Sequence, residues 1–234
     1  MSELRFSTQP EQLPVKNFDD LVKDDLKVKR HGNLLPSSIR ALVCGPSNCG
    51  KTNSVLALLT HPNGIRFENV YVFSKSLNQS KYTFLERLLS SVKGIGYFKF
   101  NEHEQVISPD EVKPNSVFLF DDLVGIKNLN HIRSYFCMGR HKLVDCFYLC
   151  QTYACIPKHL IRDNTNFLIL FKQDEMNMKH VYLDHVTSDM NYTKFRDLCN
   201  SCWTNSHDFL VIDKESPINA GRYRKGFDCF IQLV

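Results

Sequence analysis

An apolar run, SIRALVCG (38–45), leads into GPSNCGKT (45–52), and a helix-like segment, KTNSVLALLTH (51–61), follows at once. No other stretch narrows the architecture as far. The loop matches G-x-x-x-x-G-K-[ST], in which each position has a physical task. Gly45 and Gly50 permit a tight turn that aims backbone N–H groups at phosphate oxygens, and Pro46, Ser47, Asn48 and Cys49 complete the cradle. Lys51 supplies a point charge for the β and γ phosphates, and the Thr52 hydroxyl is a ligand for Mg²⁺. A helix that starts at the loop adds its N-terminal dipole. A chance octapeptide in a surface loop would lack the strand before it and the helix after it. ATP and Mg²⁺ are the expected cofactors.

Four further apolar runs have strand length: NVYVFSK (69–75), NSVFLFDDL (115–123), LVDCFYLCQT (143–152) and NFLILFK (166–172). None alternates with polar residues, which is the signature of strands covered by helices on both faces. SKYTFLERLLSSV (80–92) and NLNHIRSYFCMGR (128–140) read as helices, and YFKF (97–100) as a short extra strand. The alternation predicts an α/β fold, a central, mostly parallel sheet flanked by helices. Residues 173–200 read helical, DFLVID (208–213) is a strand, and CFIQLV (229–234) is expected to pair with it. The chain thus divides into an N-terminal arm (1–35), a core (36–186) and a C-terminal helix and strand extension packed on that core (187–234).

No apolar run approaches the roughly 20 residues that span a bilayer, and the polar start MSELRFSTQPEQ has no secretory h-region. The expectation is an intracellular protein with no membrane span. Nine cysteines are an odd, scattered set, and Cys44, Cys146 and Cys150 fall in apolar runs, which suits free thiols in a reducing compartment. A net charge of +4 permits contact with nucleic acid without demanding it.

Five other features bear on chemistry. VFLFDD (117–122) delivers Asp121 to the end of an apolar strand, where it can hold Mg²⁺ through water beside Thr52. Asp122 follows directly and can polarise an attacking water, or simply cap the next helix. Gln151 ends the LVDCFYLCQT strand at the edge where open α/β sheets bind ligands, so it can report on the γ-phosphate or merely finish the strand. Arg140 and Arg162, with Arg133 behind them, are candidates for an arginine presented to a neighbouring subunit's γ-phosphate, or for solvated helix-end cations. GRYRKG (221–226) reads either as a phosphate-backbone contact or as a solvated turn. Cys199-x-x-Cys202 with His207 lacks a fourth zinc ligand at good spacing. Cys49, inside the loop, is expected to react with a thiol reagent and to be protected by ATP.

The NVYVFSK strand intervenes in sequence between the phosphate-loop strand and the Asp121 strand, a layout that resembles the additional-strand division of P-loop ATPases. More closely, GPSNCGKT, VFLFDD, GRH leading to YLCQT, and the P-x-x-x-x-R-x-N-x-N of PKHLIRDNTN before FLILF together resemble genome-packaging ATPases. These are the packaging enzymes of large DNA viruses of the poxvirus type and of virus-like transposons, within the FtsK–HerA superfamily. The likeness spans roughly residues 36 to 186. It implies an oligomeric ring of five or six subunits that hydrolyses ATP and drives double-stranded DNA into a capsid, with capsid or portal proteins as partners inside the host cell. It further implies Lys51 and Thr52 as phosphate and Mg²⁺ residues, Asp121 as metal acid, Asp122 as catalytic carboxylate, Gln151 as sensor and Arg140 as the finger. Many hydrolytic relatives carry Glu where this chain has Asp122. Two other readings stand beside this one: a P-loop phosphotransferase acting on a nucleoside, and a nucleotide-dependent assembly protein that does not turn ATP over.

Overall fold

In the computed structural model, residues 7, 10, 11, 29–102, 106–121, 123 and 129–233 are described. Asp122 and most of the arm lie outside them. The described elements are β1 (Arg40–Cys44), α1 (Lys51–Thr60), β2 (Asn69–Ser74), α2 (Ser80–Ser90), β3 (Gly96–Phe100), β4 (Ser116–Asp121), α3 (Asn130–Met138), β5 (Val144–Cys150), β6 (Phe167–Phe171), α4 (Glu175–His185), α5 (Tyr192–Cys202), β7 (Phe209–Asp213), β8 (Tyr223–Lys225) and β9 (Cys229–Phe230).

All nine strands join one sheet in the order β3-β2-β4-β5-β1-β6-β7-β8-β9. The first six are mutually parallel, and β7, β8 and β9 continue the sheet antiparallel. The unalternating runs are explained by two hydrophobic layers. Leu42, Phe118 and Phe120 pack on one face with Ile132 and Tyr135 of α3, Val181 of α4 and Phe195 of α5. Ala41, Val43, Val117 and Leu119 pack on the other with Val55 and Leu59 of α1 and Leu85 of α2. Successive strand residues point to opposite faces, so a sheet buried on both sides requires apolar residues at every position.

Two expectations of connectivity change. The strand that separates β1 from β4 in space is β5, whereas NVYVFSK (β2) lies on the far side of β4. Parallel neighbours need a crossover connection, so adjacency in sequence does not fix adjacency in the sheet. CFIQLV does not pair with β7. A turn through Gly226, with φ of 67°, folds Cys229–Phe230 back onto β8, and β8 takes the place beside β7.

The last residues of the arm are tied down. Arg30 and His31 meet the buried carboxylate of Asp145 in β5 at 2.9 and 3.0 Å, and Asp145 also accepts the Ile39 N–H at 2.7 Å. Among the described residues no helix is long and apolar enough to cross a membrane.

The GRYRKG segment is neither a solvated turn nor a free basic patch. Arg224 is buried and bonded to Asp213 at 2.6 Å, Arg222 pairs with Asp189 at 2.5 Å, and Lys225 lies 3.5 Å from Asp208. These cations are committed to local acids that the sequence places 11 to 33 residues upstream.

Candidate active site

The phosphate loop joins β1 to α1. A side chain at Gly45 would bring its Cβ within 2.6 Å of Phe171 and 2.7 Å of the Cys49 sulfur, so only glycine lets the loop close over β6. Gly50 has φ of 111° and Asn48 of 63°, the left-handed conformations that turn the backbone into a concave run of N–H groups. The Lys51 ammonium donates to the carbonyls of Gly45 at 2.7 Å and Pro46 at 2.8 Å, which holds it across the mouth of the loop.

Beside the loop is a cavity of about 570 Å³, lined by Ser47, Asn48, Lys51, Thr52, Asp121 and Gln151 among others. β1, β4 and β5 run parallel, so their C-terminal ends deliver the loop, Asp121 and Gln151 to one edge. A further part of the cavity wall comes from α2, which contributes Gln79 and Lys81 at its N-terminal end. Tyr82, almost wholly buried, donates its hydroxyl to the Asp121 carboxylate, and the Thr52 hydroxyl also meets this phenol. Burial first, and the Asp121 charge next, push the Tyr82 pKa far up, so it stays a donor. Sequence reasoning missed Tyr82. The signal was its place at the N-terminal end of the buried stripe Tyr82, Leu85, Leu89, because a buried tyrosine hydroxyl requires a partner.

The arginines do not enter this cavity. Arg162 is buried, bonded to Asp184 at 2.7 Å, and stacked over the ring of Tyr153 at 5.1 Å. Tyr153 in turn bonds Asp184 at 3.0 Å and His185 at 2.8 Å, and burial pushes the His185 pKa down to about 3. Arg162 therefore ties the segment after Gln151 to α4. Arg140 is exposed but stands just before β5, at the edge of the sheet opposite Gln151. Seven strand residues separate the two edges, about 23 Å. Arg133 is half-buried and bonded to Asn130.

The donor set suits Mg²⁺. Thr52 and Asp121 offer hard oxygens and share contact with one phenol, which places them side by side. Among the described residues no group of three or more His, Cys, Asp or Glu could hold a metal, so Thr52 and Asp121 would share a cation with water or phosphate oxygens. Cys199 and Cys202 are buried core thiols, and His207 instead sets Nδ1 3.1 Å from the Cys49 carbonyl.

Cys49 is also corrected. Its sulfur packs inward beneath Gly45, and burial raises the pKa of its thiol despite nearby Lys51. Cys155, by contrast, is exposed and lines the cavity. A thiol reagent should modify Cys155 well before Cys49, and ATP should protect Cys155 but not the exposed Cys137 or Cys229. Peptide mapping by mass spectrometry checks this; labelling of Cys49 ahead of Cys155 would contradict it.

No family model and no curated protein sequence matches the chain. Solved structures do. The genome packaging NTPase B204 from Sulfolobus turreted icosahedral virus 2, in complex with ATPγS, superposes with a TM-score of 0.52 at 11% identity, over 83% of this chain and 98% of that one. The sulfate complex gives 0.55 at 10% identity, over 84% and 98%. B204 from Sulfolobus turreted icosahedral virus, a DNA-packaging ATPase, gives 0.52 at 12% identity, over 80% and 95%. The chain has the P-loop NTPase fold. At such identities the likeness is one of architecture. It runs across nearly the whole length of the neighbours.

Proposed function

We propose that this chain is an ATP-hydrolysing motor that translocates double-stranded DNA and packages it into a viral capsid, working inside the host cell as a homo-oligomeric ring. The observation that carries the reading is the convergence of Lys51, Thr52, Asp121 and Gln151 on one cavity, with a strand inserted between β1 and β4. The architecture shared with packaging NTPases supports it.

In this reading the loop N–H groups and Lys51 bind the β and γ phosphates. Thr52 and Asp121 would hold Mg²⁺, which neutralises charge on the transferring phosphoryl group. Asp122, outside the described residues, is the carboxylate positioned by sequence to orient the attacking water. Gln151 faces the cavity and passes the state of the γ-phosphate into the segment that follows it, where Tyr153 and Arg162 lock onto Asp184 of α4. Arg140 is too far from its own subunit's cavity to act there, so a catalytic part for it requires a neighbour's site. That requirement couples hydrolysis to assembly, and capsid or portal proteins would seat the ring.

ATPase activity per subunit should therefore rise with protein concentration and rise again with duplex DNA, alongside a mass measurement of the assembly. Activity that stays flat across dilution and added DNA would refute the motor. Transfer of the γ-phosphate to a nucleoside rather than to water would favour the phosphotransferase reading.

A further inference from the structure

We infer that the first turn of α2 is a working part of the nucleotide site: Lys81 binds the γ-phosphate, and Tyr82 is a positioning residue for the metal carboxylate. The inference rests on the ATP-binding part of the proposed function, and it concerns residues that no phosphate-loop pattern contains.

Three observations converge. Gln79 and Lys81 line the same cavity as Lys51, Thr52 and Asp121. Lys81 is half-buried, and among the described residues no carboxylate or carbonyl takes up its ammonium. A lysine beside a cavity of this size, with no protein partner there, suits an anionic ligand group. The next residue fixes where that ammonium stands. Tyr82 is locked by its bond to Asp121 and by packing with Leu85 and Leu89 against the sheet, so the helix can neither rotate nor slide without breaking that bond.

The geometry also assigns the order along the triphosphate. Lys51 spans the mouth of the loop, where the β and γ phosphates meet. Asp121, beside Thr52, would hold the metal. Lys81 adjoins Tyr82, which is bonded to Asp121, so its ammonium belongs to the Asp121 side of the cavity, where the terminal phosphate, the group that ADP lacks, would lie. Tyr82 donates to one carboxylate oxygen of Asp121 and so fixes the orientation of the carboxylate that would hold the metal. Second partners of this kind orient a ligand and tune its affinity for the ion.

Three variants test the inference by equilibrium binding without turnover. Lys81→Ala should weaken binding of a non-hydrolysable ATP analogue about 10-fold or more, with ADP affected less than about 2-fold. Lys81→Arg should restore much of the loss. Tyr82→Phe removes one oxygen and keeps the packing. It should weaken Mn²⁺ binding to the nucleotide complex, read by electron paramagnetic resonance, about 10-fold while metal-free nucleotide affinity holds. Equal losses for ATP and ADP analogues in Lys81→Ala, or unchanged Mn²⁺ affinity in Tyr82→Phe, would overturn the assignment. Unchanged analogue binding in Lys81→Ala, with wild-type binding intact, would overturn the Lys81 role alone. A wild-type chain that binds no ATP analogue would overturn this inference and the ATP site together.

Discussion

Asp121→Asn should lower ATP turnover at least about 100-fold while leaving thermal stability almost unchanged. The reason lies in what the substitution keeps. Asparagine has the same shape and retains a carbonyl oxygen for the Tyr82 hydroxyl, so α2 stays docked on β4. What it loses is the negative charge, and with it the role the proposed function gives Asp121, that of holding a divalent cation through water beside Thr52. The side chain is half-exposed at the cavity edge, so no buried unpaired charge is created. Steady-state hydrolysis and a melting curve on one preparation check both halves. A variant that hydrolyses ATP at the wild-type rate would remove Asp121 from the site, and a large drop in melting temperature would make it a structural residue.

Arg224→Met should destabilise the fold by about 3–5 kcal/mol, because it strips a buried carboxylate of its partner. Arg224 is the bulkiest of the fully buried side chains. Its guanidinium bonds Asp213 at 2.6 Å, its Nε donates to the Gly221 carbonyl at 2.6 Å, and its other terminal nitrogen donates to the Leu34 carbonyl. The ring of Phe230 covers it at 5.0 Å. One side chain thereby joins β7, β8, β9 and the end of the arm. For a chain of this length the loss corresponds to a fall in melting temperature of about 10 °C. Asp213→Asn in the same background should recover part of the loss by neutralising the stranded charge. A shift within about 1 °C for Arg224→Met would show that the pair contributes little.

Arg224 also illustrates where sequence reasoning stopped. GRYRKG carries three cations in six residues, and nothing local distinguishes a basic patch from a set of ion pairs whose acids lie elsewhere in the chain. Asp189, Asp208 and Asp213 reach them only after α5 and β7 have returned the chain across the sheet. The partner of Arg162 was hidden in the same way, since Asp184 sits 22 residues downstream on a different element. Charge is visible in a sequence, whereas pairing depends on long-range contacts.

Other features were legible because their physics is local. GPSNCGKT specifies its own conformation: glycine is needed at Gly45 by close approach and at Gly50 by its left-handed backbone. The apolar runs announced a sheet covered on both faces, and β1, β2, β4, β5 and β6 appear where those runs stand. Asp121 and Gln151 followed from one rule, that parallel strands present their C-terminal ends at the same edge.

Sequence by itself therefore determined the loop, the parallel strands and the acid at the end of β4, because period, composition and turn chemistry act over a few residues. Only the tertiary structure decided that β5 rather than β2 separates β1 from β4, that α2 supplies part of the cavity wall, and that Cys49 is hidden while Cys155 is open. Each of those depends on which crossover lands beside which strand. That choice is made by burying two hydrophobic faces at once, and no short segment of the chain encodes it.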